Sequence, residues 1–355
     1  MRQGAKNWMV LIYIFFFLIF SFLSIKYGRY AADQLSNVSA RYKEDTLTPR
    51  EFTAALKNMG QNGEKTLELT LWNRLKKEKA ENELTGLQAE TNVIEVYGNM
   101  KQVIPMEFLY GRAVTEDDLR MCVLDSVTAW NLFGTVSAVG NRVIWNERKY
   151  TVKGIIKTSD TVIIIPVSDI EHKFSNLEAV YGRKHGKRIE DQGRQLINFM
   201  KNNGIEEPDT LIDGSFLAYL LTGFYHLSLW ILAVQLIYFL VKTACMFRNH
   251  KFLCFLVGLA AVSSVFILVQ VTEFHIQLPS QLIPGKWSDF DFYVSKYKEW
   301  KAAVLNINNN NVLPKDKICT YYSNRCMFYG FLSAGMLIPV QFWLIRFFKS
   351  QALKS

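Results

Sequence analysis

Residues 105–167 read PMEFLYGRAVTEDDLRMCVLDSVTAWNLFGTVSAVGNRVIWNERKYTVKGIIKTSDTVIIIPV, and the punctuation of this stretch decides what kind of domain the chain carries. Gly111-Arg112 marks a turn, and Thr115-Glu116-Asp117-Asp118 has the hydroxyl and the acids of a capped helix start. Met121 to Asp125 is a buried strand, and Ser126 to Phe133 is a short helix carrying Val127, Trp130, Leu132 and Phe133, closed by Gly134. Gly140 precedes a hairpin whose arms are Arg142 to Trp145 and Tyr150 to Ile156, with Asn146-Glu147-Arg148 as its polar turn. Ile163 to Val167 is a further strand, ended by Pro166 and the acidic cap Asp169. Short strands interleaved with short helices specify an α+β domain.

Upstream, Thr48-Pro49-Arg50-Glu51 is a second helix start, with a hydroxyl cap, proline at the first helical position and acid in the first turn. Phe52, Ala55, Leu56 and Met59 share one face of that helix, and Gly60 ends it. Lys65 to Trp72 alternates as a half-buried strand should, with Leu67, Leu69 and Leu71 on one side. Asn73 to Asn82 reads as a polar helix or loop, and Thr91 to Tyr97 as the next strand.

The flanks of this domain are of another kind. Half of the 355 residues are hydrophobic while the charged fraction is 21%, close to that of a soluble protein. The apolar excess is concentrated in four runs: Trp8 to Ile25, Phe216 to Val241, Phe252 to Val271 and Met327 to Ile345. Each covers a hydrocarbon core of about 30 Å at 1.5 Å per residue. The first is a retained anchor rather than a cleaved leader, because Lys26, Tyr27 and Arg29 follow it in place of a small-residue cleavage site. Arg2 and Lys6, then Lys242, Arg248 and Lys251, then Arg346, Lys349 and Lys354 flank these runs, and four crossings bring all three clusters to one side. Both termini are therefore expected in the cytoplasm of a multi-pass plasma or inner membrane protein. The divisions are 1–26 for the N-terminus and first span, 27–214 for the extracytoplasmic domain, 215–241 and 252–271 for spans around a link at 242–251, 272–325 for an outer loop, 326–346 for the last span and 347–355 for the tail.

The order of elements in 105–167 resembles the periplasmic core domain of the MacB-like permeases of bacterial ABC transporters, also called FtsX-like or type VII. Their pattern is matched by Gly111-Arg112, the acids 116–118, Val123-Leu124, Ala129, Leu132-Phe133-Gly134, Val139-Gly140, Asn146 and Tyr150-Thr151-Val152-Lys153-Gly154. The match is dense over about 60 residues, and one span, a domain and three further spans extend it along the chain. In this pattern Gly111, Arg112, Leu132, Phe133, Gly134, Gly140, Tyr150, Val152 and Gly154 are structural positions; Gly134 and Gly154 should take positive φ or tight packing. The resemblance implies a separate ATP-binding subunit, a second permease subunit in a homo- or heterodimer, and transmission of motion through the membrane. In that family an Arg-Glu-rich cytoplasmic segment after the second span docks on the ATPase. Here the link is short, basic and amphipathic, and Lys242, Met246, Phe247, Arg248 and Lys251 are its candidate contacts.

No catalytic, cofactor-binding or metal constellation emerges. The sequence has no GxSxG, no HExxH and no CxxC, and its five histidines are unpaired. Arg183-Lys184-His185-Gly186-Lys187-Arg188 lacks both the spacing and the hydroxyl of a phosphate loop and reads as a solvated loop. The net charge of +9 sits largely at membrane flanks, which argues against nucleic acid. Cys319 and Cys326, with six residues between them before the last span, leave a disulfide and two free thiols equally open. Between the third and fourth spans, Ser288 is placed to cap a helix from Asp289 to Leu305. Phe292, Tyr293, Tyr297, Trp300 and Val304 form its aromatic face, suited to membrane lipid or to packing on the domain. Inside the spans, Tyr225, His226, Gln235, Gln270 and Gln341 are the polar residues to be satisfied, Gly258, Ala260, Gly330, Ser333 and Gly335 are close-packing candidates, and Pro339 is a kink.

Two functions follow. One is a permease-type subunit moved by an ATPase, serving export or envelope mechanotransmission. The other is a membrane-anchored sensor that binds an extracytoplasmic peptide, lipoprotein or hydrolase without driving transport.

Overall fold

The acid-and-apolar runs of the sequence condense onto one ten-stranded mixed sheet. The computed structural model describes residues 2–352 except 36, 62–66, 116, 117, 159, 182–191, 247–250, 273–282, 285, 287, 299, 300 and 302–311. Its elements are helix α1 (Arg2–Gln34), strand β1 (Val38–Arg41), α2 (Pro49–Gln61), β2 (Leu67–Asn82), β3 (Gln88–Tyr97), α3 (Met100–Val103), β4 (Glu107–Gly111), β5 (Met121–Asp125) and α4 (Ser126–Phe133). There follow β6 (Arg142–Trp145), β7 (Arg148–Lys157), β8 (Val162–Pro166), β9 (Asn176–Tyr181), α5 (Gln192–Asn202), β10 (Thr210–Asp213), α6 (Gly214–Met246) and α7 (Lys251–Thr272). A short helix at 292–298 is α8, and Pro314–Ala352 is α9.

The sheet runs β10-β1-β9-β2-β3-β8-β5-β7-β4, with β6 bridging β2 and β7. β5 (MCVLD) and β8 (VIIIP) are buried almost throughout because both lie in the middle of the sheet with neighbours on either edge, the setting in which alternation gives way to continuous apolar runs. Asp125 survives there fully buried because its carboxylate is saturated. Oδ1 accepts from Val127 N at 2.7 Å and Thr128 N at 3.1 Å, capping α4, and Oδ2 accepts from Val162 N at 2.8 Å.

The two glycines singled out by sequence take different roles. Gly134 ends α4 in the left-handed region at φ 67° with open space around it. Gly154 faces Gly111 across the β4–β7 pair, and a Cβ on it would stand 2.5 Å from the Arg112 carbonyl oxygen.

Several expectations change. Asn73–Asn82 is neither helix nor loop but the second half of β2, paired with β3 across a bulge between Leu75 and Glu78. Lys76, Lys77 and Lys79 face solvent while the cross-strand partner holds the backbone, and neighbour rather than propensity decides such a segment. The first amphipathic helix runs through Gly60 to Gln61. The hairpin turn is two residues, Asn146 and Glu147, both at positive φ. Thr115 and Asp118 form a hydrogen-bonded turn, Thr115 N to Asp118 Oδ2 at 3.1 Å, and the acids between them, Glu116 and Asp117, lie outside the described residues. Helix α8 starts at 292, after turns in which Phe290 N bonds the Ser288 carbonyl, so Ser288 does not cap it. Phe290, Tyr293, Val294 and Tyr297 are exposed and Phe292 is half-buried, while Trp300 and Val304 lie outside the described residues.

The chain divides into two compact units, a helical one (Met1–Asp33, Leu217–Gln277, Cys319–Ser355) and a sheet domain (Gln34–Phe216, Leu278–Ile318). Among the described residues, four helices are long and apolar enough to cross a membrane: Trp8–Gln34, Gly214–Cys245, Lys251–Gln270 and Pro314–Ser350. In the helical unit α1 and α9 are joined by an aromatic ladder of residues seven apart. Tyr27 stacks between Tyr329 (5.6 Å) and Tyr322 (5.9 Å), and Phe20 meets Tyr329 at 6.2 Å. Cys319 and Cys326 are free thiols on this one helix. Seven residues of helix separate their Cα atoms by about 10 Å, too far for a disulfide without unwinding. Gly330 and Ser333 are closely packed as expected, whereas Gly258 and Gly335 have open space where a Cβ would go and Ala260 is exposed.

Candidate functional site

Within the sheet domain, the residues that follow α1, those that open α6 and those that open α9 touch one another. Three residues beyond the end of α1, the Asn37 carbonyl accepts at 3.0 Å from the backbone N of Gly214, the first residue of α6. From there β1 and β10 run antiparallel, Val38 opposite Asp213 and Arg41 opposite Thr210, so the strand that follows α1 and the strand that precedes α6 are neighbours in one ladder. Asp213 ends that ladder and caps two helices: Oδ1 accepts from Ser215 Oγ at 2.6 Å and Phe216 N at 3.1 Å, and Oδ2 from Gly193 N at 2.9 Å.

The third junction is ionic. Glu178 of β9 is 1% exposed. Its Oε1 accepts from Ser39 Oγ at 2.6 Å and pairs with Arg41 Nη2 at 3.3 Å. Its Oε2 is bonded by Asn37 Nδ2 and stands 3.7 Å from Lys315 Nζ, in the first turn of α9. Arg41 also reaches Asp316 Oδ2 at 3.5 Å and lies over the Trp72 ring at 4.4 Å. Asp316 caps its own helix, accepting from Leu313 N at 2.9 Å, and Leu313 is buried in the core. The next residue, Lys317, pairs with Asp160 at 2.6 Å, and Asp160 also takes Arg74 at 3.5 Å.

Burial pushes the Glu178 carboxyl above the usual carboxylate range, while Lys315 and Arg41 pull it back down. Two cationic side chains face two carboxyl groups, so each has an opposite partner beside it. Chemically the arrangement offers no nucleophile, base or metal cradle; no group of three metal-ligating side chains occurs among the described residues. It is a mechanical joint, fixing Lys315-Asp316-Lys317 to β1, β9 and the 160 loop.

The residues singled out by sequence lie elsewhere. Leu132, Tyr150 and Val152 are buried in one core cluster with Phe133 packed against it, Gly140 N bonds the Val152 carbonyl at 2.8 Å, and Arg112 pairs with Asp118 at 2.9 Å. They build the domain. Of the link, Lys242 and Lys251 are exposed and Met246 ends α6, while Phe247 and Arg248, like the basic run 183–188, lie outside the described residues. Sequence reasoning missed Asn37, Arg41, Glu178, Lys315 and Asp316. The available signal was a lone acid in the apolar strand NLEAVY and the charge triplet in PKDK.

Residues 17–193 match the family described as the MacB-like periplasmic core domain. A comparison with curated proteins returns no match. Among solved structures, the periplasmic region of MacB from Actinobacillus actinomycetemcomitans aligns at 12% identity and a TM-score of 0.42, over 52% of this chain and 91% of that one. The extracellular domain of the noncanonic ABC-type transporter YknZ from Gram-positive bacteria aligns at 15% identity and a TM-score of 0.35, over 48% of this chain and 96% of that one. With this domain and four membrane-length helices, the chain belongs to the permease-type family of MacB-like ABC transporter subunits.

Proposed function

We propose that the chain carries motion, driven by a separate ATPase, from its membrane helices into the sheet domain, as one of two permease subunits in the bacterial plasma membrane. One observation carries this reading: α1, α6 and α9 enter the domain through a single contiguous set of residues, the β1–β10 ladder and the Glu178 cluster. A displacement at any of the three helices therefore reaches the same sheet edge. The basic flanks favour cytoplasmic termini, a cytoplasmic 242–251 link as the ATPase contact, and the sheet domain outside. The subunit transmits force and an ATP-binding partner hydrolyses ATP. Purification in mild detergent from the source cells tests this: an ATP-binding subunit is expected with the chain, its ATP turnover uncoupled by Lys242→Glu with Lys251→Glu. A complex without an ATPase would overturn the coupled reading.

A second reading, a sensor that binds a peptide, lipoprotein or hydrolase, is favoured by apolar residues that the sheet domain leaves in solvent, among them Leu84 (88% exposed) and Trp130 (60%). A Trp130→Ala protein that loses its bound partner while ATP turnover in the complex is unchanged would support it.

A further inference from the structure

Two spans of the helical unit carry cations at the end opposite to the clusters that argue for orientation. Lys26 and Arg29 follow the first apolar run and Arg325 precedes the last, against the bias that gathers basic residues on the other side. All three are exposed, and none forms an ion pair among the described residues. The one carboxylate of α1, Asp33, lies a further turn out from Arg29. Cations placed this way need a reason other than topology.

Ring contacts bring them to one face and one depth. Tyr27 of α1 stacks between Tyr322 and Tyr329 of α9, which fixes the register of the two helices. Tyr30 stacks on Tyr322 at 5.5 Å, Tyr322 meets Tyr321 edge-on at 5.3 Å, and the Arg325 guanidinium lies 5.3 Å from the centre of the Tyr321 ring. Lys26 shares a face of α1 with Tyr30, four residues on, as Tyr321 shares a face of α9 with Arg325. The helices run in opposite directions, so Lys26 and Arg325 both stand one turn toward the apolar core from the tyrosines. α6 covers the other side of the pair: Ser21 lies 3.3 Å from Ser228, and a Cβ on Gly28 would run into the Tyr225 ring. The strip itself is open, with Tyr30 and Tyr321 both 52% exposed.

We propose that this strip binds one anionic phospholipid, its phosphate held by Lys26 and Arg325. In a membrane the strip falls where the apolar runs stop, after Ile25 and before Met327, which is the depth of the headgroups. An ammonium and a guanidinium offer donors and no acceptor, and a phosphodiester offers acceptors and a charge of opposite sign. Arg29, three residues after Lys26, adds a third cation to the field. Cations without a carboxylate beside them repel the ammonium of phosphatidylethanolamine, so the site selects a headgroup that lacks one. Toward the core, Ile19, seven residues before Lys26, and Phe328, three after Arg325, continue the same two faces and are exposed, which gives an acyl chain apolar surface to lie on. The inference rests on α1 and α9 being spans and requires no ATPase, so a failed co-purification leaves it standing.

The test is a titration of the full chain, purified in a neutral detergent and stripped of lipid, with phosphatidylglycerol, followed by native mass spectrometry. One phosphatidylglycerol is expected to stay bound, roughly tenfold more tightly than phosphatidylethanolamine, and Lys26→Gln with Arg325→Gln is expected to weaken it by roughly thirtyfold. Lys57→Gln with Lys101→Gln removes the same charge from exposed positions of the sheet domain and should leave binding unchanged. The swap Lys26→Arg with Arg325→Lys keeps the charge and should keep the lipid. Lipid-free thermal midpoints equal to that of the native chain separate lost binding from lost fold; should the double glutamine variant not fold, the comparison of the two lipids on the native chain decides alone. Equal retention of the two lipids would overturn the proposal. So would a folded double variant that binds as well as the native chain, or displacement of the lipid by millimolar inorganic phosphate, which would make the strip a site for the free anion.

Discussion

Glu178 in the sheet domain and Gln235 and Gln341 in the helical unit are polar side chains placed where water is excluded, and the chain treats them in opposite ways. Both carboxylate oxygens of Glu178 are met by Ser39, Arg41, Asn37 and Lys315. The carboxamide oxygens are met by nothing described. The buried carboxylate is thus fully partnered, whereas the buried amide oxygens have no donor among the described residues. A buried charge is tolerable only when the same fold delivers its counter-charge, because removing one partner strands the other. A neutral amide is cheaper to leave without a partner.

The largest effect should come from breaking the charge balance. Arg41→Ala leaves Lys315 as the one cation beside Glu178 and is expected to cost about 3–5 kcal/mol, seen as a large fall in the thermal midpoint of the detergent-purified protein. The double change Arg41→Met with Glu178→Leu should recover most of that loss, since apolar replacement of a whole buried pair is often neutral. A double variant as unstable as the single one would show that the cluster holds the junction by more than charge.

Glycine packing offers the next contrast. Gly154→Ala pushes a methyl into the Arg112 carbonyl and the Phe108 ring and should destabilise by about 2 kcal/mol. Gly335→Ala meets open space, and in a helix interior alanine is the better former, so the single chain should gain slightly, by about 0.5–1 kcal/mol. Equal effects at the two sites would erase the distinction between a closed domain and an open helix face.

Third in size is the amide itself. Gln235→Leu loses the bond to the Leu337 carbonyl but also removes an orphaned oxygen, and the two terms oppose each other. A net change within about 1 kcal/mol is expected in the unfolding midpoint, against several for Arg41→Ala.

These differences mark what the sequence could and could not declare. Element boundaries set by local chemistry were legible: β5, α4 and α2 begin where a cap or an apolar run says they should. Asn73–Asn82 was not, because its charged residues carry no strand preference and its partner β3 is recruited through a hairpin. The four spans were legible from length and hydropathy alone. The junction was not, for a plainer reason: Arg41, Glu178 and Lys315 are separated by more than a hundred residues each, and no local pattern announces that three such charges meet. The last span lies between these cases. Gln341 was visible as a polar residue in a span, but that its oxygen has no donor depends on where α6 packs.

The smallest effect concerns a pair that is neither dry nor open. His172 Nε2 lies 3.1 Å from Glu95 Oε2, with the ring edge-on to Phe174 at 4.7 Å. The bond to Glu95 raises the imidazole above its ordinary value, against an opposing push from burial. A group whose folded value is raised binds its proton more tightly in the folded state, so the stability it adds is complete below the ordinary histidine value of about 6.5 and is lost as pH rises through the folded one. The thermal midpoint of the native chain should therefore fall between pH 6 and pH 8 by more than that of His172→Gln. The margin should be small, because the histidine is partly in solvent. Glu178, also raised, shifts stability in the same direction, but it is present in both proteins and cancels from their difference. If the two pH profiles are parallel, the His172–Glu95 contact holds no charge worth counting, and Glu178 alone shows what this domain gains from pairing its ions.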